Sequence, residues 1–268
     1  MIIDIHTHIF PEKIAPRSIA SLEEKAGINA STNGMLSGLQ ESTLDAGIDY
    51  SVVMPVVTKV EQFDSVNKYA AYLNERCQEG ETKIISFGGI HPDDENYISH
   101  LKDIKDMGIK GIKLHPDYQR TMIDDKKYLN IIYKASELDL AILVHAGVDI
   151  GLPEPVHCPP DKALAMLKET QAEKLILAHY GGYAQWDMVE EYLVGEKVYF
   201  DTSFLVGRIE EEQFLRIAKN HGTDKILFGS DSPWTSQKDS LDFIRKLNLD
   251  EQNKEQILGL NAKNLLGI

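Results

Sequence analysis

The first residues of this chain that could do chemistry are His6 and His8, in the run Asp4-Ile5-His6-Thr7-His8 that closes an apolar opening shortly before Pro11. On a strand, side chains alternate between faces, so the two imidazoles project from the same side. Two nitrogen donors on a rigid element make one edge of a metal site, because a first-row cation needs lone pairs that converge before it arrives. A lone His-x-His reads equally well as two unrelated histidines at a strand end. The weight therefore rests on what the rest of the chain brings to the same place.

The elements that must position these residues follow a regular alternation. Apolar runs at 2–8, 50–56, 83–90, 109–115, 140–146, 174–180, 197–203 and 225–231 read as strands. Between them, amphipathic segments at 36–46, 64–79, 94–107, 125–138, 160–170, 184–193 and 210–220 read as helices, with further helices at 238–247 and 250–266. The long connection after the first strand carries a helix near 13–26 and a Gly/Asn/Ser/Thr-rich stretch at 27–34, which makes 9–34 a candidate lid insertion. Strands separated by helices of this length pair in parallel through right-handed crossovers. Eight such units in about 250 residues predict a closed (β/α)8 TIM barrel, here a single domain over 1–268. An open doubly wound sheet would carry a Gly-rich phosphate turn after its first strand, and neither G-x-G-x-x-G nor G-x-x-x-x-G-K-[ST] occurs.

A barrel directs the C-terminal ends of its strands to one mouth. The residues at those ends are His6 and His8, His91, Lys113 and His115, His145, His179, Asp201 and Asp231. Six of the nine histidines thus lie at or just past a strand end. Backbone-satisfied histidines would account for one or two of them, and parity allows His145, His179 and Asp231 to point inward.

Composition narrows the function classes. The chain of 268 residues carries 28 basic and 42 acidic side chains, a formal net charge of −14, which argues against nucleic acid or an anionic membrane surface as partner. No run approaches the roughly 20 apolar residues that cross a bilayer. Cys77 and Cys158 are too few for a disulfide framework, and the chain opens without a basic, apolar leader pattern, so a cytoplasmic location is expected. The expected partners are a small-molecule substrate and, if the chain self-associates, a second copy in a homodimer.

The combined motifs, His-x-His on the first strand, Gly111-Ile112-Lys113-Leu114-His115-Pro116, Val144-His145-Ala146, Ala178-His179-Tyr180-Gly181-Gly182 and Phe228-Gly229-Ser230-Asp231-Ser232-Pro233, resemble the amidohydrolase superfamily over nearly the whole chain. The nearest branch is the amidohydrolase-2 group, with its aminocarboxymuconate semialdehyde decarboxylase relatives. The resemblance implies His6, His8, His145 and Asp231 as metal ligands and His179 as a catalytic histidine close to the metal. Three neutral imidazoles and one carboxylate suit Zn²⁺, with Mn²⁺, Fe²⁺ or Co²⁺ as alternatives, and leave a position for water. The leading expectation is a hydrolase that opens a small amide, lactone or ester with metal-activated water, Asp231 and His179 handling the proton. The alternative is non-oxidative decarboxylation of a small unsaturated or aromatic acid.

Some superfamily members carry a carboxylated lysine on strand four that bridges two metals. Lys113 lies two residues deeper than His115, so one metal per chain and an unmodified Lys113 are expected, with Lys113, His115 and Trp234 at the substrate. Cys158 reads as a plain loop thiol. Arg17, Lys59, Arg120 and Arg208 are candidates for a carboxylate clamp, though each alone reads equally as a solvated cation. Tyr118, Tyr180 and Asp201 are candidates for orienting ligands or substrate.

Overall fold

The apolar opening run forms a strand buried along its whole length, and the sheet is organised around it. A computed structural model describes residues 1–80 and 82–268. Among the described residues the strands are β1 (Ile3–Thr7), β2 (Tyr50–Val53), β3 (Lys83–Ser86), β4 (Gly88–Gly89), β5 (Gly111–Leu114), β6 (Ala141–Val144), β7 (Leu175–Leu177), β8 (Tyr199–Asp201) and β9 (Ile226–Leu227). The helices fall where periodicity puts them, with Leu36–Ala46 and Pro160–Thr170 matching to the residue. The chain divides into two compact bodies, Met1–Met54 with Cys77–Ile85 and Asp201–Ile268, and Pro55–Arg76 with Ser86–Phe200.

In the first body β1 runs parallel to β2, with Ile3 opposite Tyr50 and Asp4 opposite Ser51, and the sheet order is β1-β2-β3. Its other edge is occupied by the continuation of β9. There Ile5 N–H donates to the Phe228 carbonyl at 2.9 Å, Asp231 N–H to the His6 carbonyl at 2.8 Å and His8 N–H to the Ser232 carbonyl at 2.6 Å. A strand paired on both edges has no loose side, so the histidines it carries are fixed by main-chain bonds. The C-terminal helix contains a π turn at Gln256–Leu260, and the Ile257 carbonyl accepts from Phe228 N–H at 2.9 Å. The insertion at 9–34 folds as a helix, Ala15–Ala26, followed by a loop. That loop is tied down, with Ser31 N–H and Oγ both donating to the Pro233 carbonyl at 2.6 and 2.9 Å.

In the second body β4 to β8 form a parallel ladder in which Gly89, Lys113, Leu143, Ile176 and Tyr199 stand in one register row. The single strand expected over 83–90 is two strands interrupted at Phe87. Asparagine side chains of the helix Phe63–Arg76 bind the main chain around the break. Ser86 N–H donates to Asn74 Oδ1 at 2.6 Å, and Gly89 N–H donates to Asn67 Oδ1 at 3.0 Å while Asn67 Nδ2 donates to the Gly89 carbonyl at 2.9 Å. An amide side chain offers the same donor and acceptor pair as a peptide, so the ladder can break here without orphaned groups.

One glycine in this body has no substitute. Gly147, two residues past His145, has φ 81°, and a Cβ there would lie 2.1 Å from the Tyr183 backbone nitrogen and 2.4 Å from the Gly182 carbonyl carbon. Gly147→Ala is expected to cost about 3–5 kcal/mol, combining left-handed strain with a clash against backbone that cannot swing away. Urea denaturation measures it, and an unchanged midpoint would contradict the packing described.

Candidate functional site

In the first body three predicted ligands come together at the C-terminal end of β1. His6 Nε2 and His8 Nε2 are 3.2 Å apart, His8 Nε2 lies 3.1 Å from Asp231 Oδ1, and His6 Nε2 lies 3.5 Å from the same oxygen. The tautomers follow from the other ring nitrogens. His8 Nδ1 faces the Met54 carbonyl at 2.8 Å, an oxygen that can only accept, so its proton sits on Nδ1. His6 Nδ1 faces the buried Asp201 Oδ2 at 2.7 Å and donates to it. Both Nε2 atoms therefore present lone pairs, to each other and to a carboxylate oxygen. Three acceptors so close repel one another unless a cation lies among them. Cis ligands of an ion with bonds of roughly 2.0–2.2 Å are about 2.9–3.6 Å apart, the spacing seen here, so these residues fit a divalent metal.

The supports are equally specific. Asp201 Oδ1 accepts from Ser203 N–H at 3.0 Å and from Ser203 Oγ, which fixes the carboxylate that aims His6. Beneath, the fully buried Asp4 accepts from His6 N–H at 3.1 Å, Ser230 N–H at 2.9 Å, Ser230 Oγ and Gln237 Nε2 at 2.8 Å. Burial pushes this carboxyl up to about 6 against the pull of those hydrogen bonds. Asp4 thereby clamps β1 to the residue beside Asp231. Asp201→Asn, which keeps shape and removes the charge, is expected to weaken metal binding about 10–100-fold while the protein stays folded. A chelator competition titration reads it; an unchanged affinity would remove Asp201 from the site.

The second body holds the other predicted histidines. His145 N–H continues the ladder to the Leu114 carbonyl at 3.0 Å, and His145 Nδ1 meets His179 Nε2 at 3.0 Å. His115 stacks on His145 with ring centroids 4.1 Å apart and planes 10° apart, and its Nε2 lies 3.4 Å from Asp149 Oδ2. Lys113 is buried on β5, Tyr180 is buried after β7, and Trp234 is half-buried in the first body, its N–H closing a turn on the Asp231 carbonyl at 2.8 Å. His91 Nδ1 accepts from Asp93 N–H at 3.1 Å. Cys158 is buried, and burial followed by the nearby Asp117 raises its thiol well above the usual range.

Sequence reasoning missed two acids. Asp149 faces His115, and Asp117, in a one-turn helix Pro116–Gln119, binds the His157 ring and N–H through Oδ1 at 3.0 and 3.1 Å. Their signal was available, since each lies two or four residues past a strand-end histidine. Strand parity, conversely, does not aim two predicted residues. His179 has φ 57° and Asp231 φ 67°, so each leaves its strand through the left-handed region. Such conformations cost energy and persist where the surroundings hold them, commonly at functional sites.

A family model described as Amidohydrolase matches residues 3–268. No curated protein matches the chain in sequence. Among solved structures, the 2,6-dihydroxybenzoate decarboxylase from Rhizobium is 15% identical with a TM-score of 0.75, covering 99% of this chain and 98% of its own. The dihydroxybenzoic acid decarboxylase from Polaromonas sp., solved with bound manganese and the inhibitor 2-nitroresorcinol, is 15% identical with a TM-score of 0.74, covering 99% and 96%. A TIM-barrel protein from Bordetella bronchiseptica is 16% identical with a TM-score of 0.75, covering 99% and 98%. The fold class of the chain is therefore the parallel α/β TIM barrel. No helix among the described residues is long and apolar enough to cross a membrane.

Proposed function

The chain belongs to the amidohydrolase family, and from that premise we propose that it is a metal-dependent, non-oxidative decarboxylase of a small aromatic or unsaturated acid. The observation that carries the metal is the convergence of His6 Nε2, His8 Nε2 and Asp231 Oδ1, three acceptors whose spacing asks for a cation. The resemblance adds His145 to that set, and Zn²⁺ or Mn²⁺ suits its donors. Sequence reasoning put hydrolysis first, although both reactions use the same ligands and the ligands alone do not separate them. Whole-length similarity to two decarboxylase structures supports the reverse order.

His6, His8 and Asp231 would hold a divalent ion, which when bound would supply Lewis acidity toward the substrate. Decarboxylation breaks the bond between the carboxylate and its carbon, leaves the electron pair on that carbon, releases CO₂ and requires one proton in its place. His179 is the proposed proton carrier. Its Nε2 shares a hydrogen bond with His145 Nδ1 at 3.0 Å, and both rings are buried, so a proton held there is shielded from water. Lys113 and His115, on and just beyond β5, and Trp234 are the proposed substrate contacts.

The test loads the protein with Mn²⁺ or Zn²⁺ and offers 2,6-dihydroxybenzoate, other hydroxybenzoates, unsaturated acids, lactones and amides, following CO₂ and acid release in parallel. Metal-dependent CO₂ evolution from an acid is the expected result. Acid release from a lactone or amide with no CO₂ from any acid would return the enzyme to hydrolysis.

A further inference from the structure

Asp231 is carried by the segment 228–236, which joins β9 to the helix Gln237–Lys246. A ligand on a loop is placed only as well as the loop is anchored on either side of it. Here both anchors meet one carboxylate, that of Asp4, two residues before His6 on β1. On the near side Ser230 N–H donates to Asp4 Oδ1 at 2.9 Å and Ser230 Oγ donates to Oδ2; on the far side Gln237 Nε2 donates to Oδ2 at 2.8 Å. The strand that carries two ligands and the loop that carries the third are thus joined through a single side chain.

Gln237 is fully buried, and its amide meets two further elements of the same body. Nε2 also donates to Ser51 Oγ on β2 at 2.9 Å, and Oε1 lies 3.2 Å from Thr43 Oγ1 on the helix Leu36–Ala46. An ionised carboxylate only accepts, so the nitrogen of the amide faces Asp4 and both of its hydrogens are engaged. The helix does not need this side chain as a cap. Ser236 caps it, its Oγ accepting from Asp239 N–H at 3.3 Å. Burying an amide away from water costs free energy unless its groups are bonded, and the bonds made here run to the strand beneath the metal ligands.

We infer that Gln237 is a positioning residue for the His6, His8 and Asp231 centre. Through Asp4 it ties the far side of the Asp231 loop to β1, and so sets the 3.1 and 3.5 Å that separate Asp231 Oδ1 from His8 Nε2 and His6 Nε2. The role rests on the metal-centre reading and is independent of the reaction that follows. What it requires is a donor on one side of the contact and an acceptor on the other. D4N opposes two NH₂ groups there, and turning the asparagine over only sets its NH₂ against the N–H groups of His6 and Ser230. Q237E opposes two carboxylates, and Q237L leaves Asp4 without its far partner. D4N/Q237E restores donor against acceptor with the polarity reversed and keeps a single negative charge.

Chelator-competition titration of wild type and these four variants with Co²⁺ alone tests the inference without turnover, and the visible spectrum of bound Co²⁺ reports ligand geometry. D4N, Q237E and Q237L are each expected to bind roughly 10–100-fold more weakly, with altered spectra. D4N/Q237E is expected to recover the wild-type affinity and spectrum. Thermal melts in chelator record the stability of each metal-free protein, and Q237L, which adds no charge, carries the comparison if D4N or Q237E does not fold. Single variants that melt earlier yet keep wild-type affinity and spectrum would make Gln237 a packing residue and overturn the assignment. A double variant no better than the singles would overturn it as well. A wild type that binds no Co²⁺ would remove the metal centre itself, and the role of Gln237 with it.

Discussion

His8→Ala and Asp231→Ala are each expected to lower divalent-metal affinity about 10²-fold or more and to abolish turnover. Binding energies of structural zinc, roughly 10–16 kcal/mol over four ligands, put about 3 kcal/mol on each. In the metal-free protein the same substitutions cost little, because the lost His8 bond to the Met54 carbonyl and the left-handed φ of residue 231 are offset. In that state His6 Nε2, His8 Nε2 and Asp231 Oδ1 are three acceptors within 3.5 Å, and removing one relieves their repulsion. The cavity left at a strand-end rim is small beside the loss a core position would suffer. Metal analysis of each purified variant, with thermal melts in chelator, separates these effects. Full occupancy in both variants would dismiss the ligand assignment. His145→Ala in the same assay tests the ligand that the resemblance adds.

His179→Asn should leave most of the metal in place and reduce kcat about 10²–10⁴-fold, the range for one acid or base group. Asparagine is the right replacement because His179 sits at φ 57°, where residues with short amide side chains fit better than alanine. The Trp186 Nε1 bond to the His179 carbonyl, 3.1 Å, is to the main chain and survives the change. A falling KM together with kcat would point to lost ground-state strain, whereas an equal fall in kcat and kcat/KM marks an interaction made in the transition state. A variant that arrives without metal would make His179 a ligand.

Most of the fold and half of the site chemistry were legible before any coordinates. Alternating apolar runs and amphipathic helices report burial directly, which is why the eight strand positions and the helix stops at Gly27 and Gly47, both left-handed caps, are where the sequence puts them. The split at Phe87 was not legible, because it depends on Asn67 and Asn74 of a helix that precedes the strand and must first dock. Nor was the aim of His179 and Asp231: strand parity assumes an extended backbone, and both residues leave it.

The sequence by itself determined which residue types stand at the strand ends, since a strand's period and a terminating proline or glycine are local properties. It thus put His6, His8, His145 and Asp231 at strand ends, and the family resemblance implied them as a ligand set. Only the tertiary structure decided what those groups are. The Met54 carbonyl and Asp201, 46 and 195 residues away in sequence, choose the tautomers that turn two histidines into lone-pair donors. The same holds for Gln237. In sequence it is one polar residue at a helix start, and the packed structure sets it against Asp4 and Ser51, because a buried amide finds its partners only when distant segments meet.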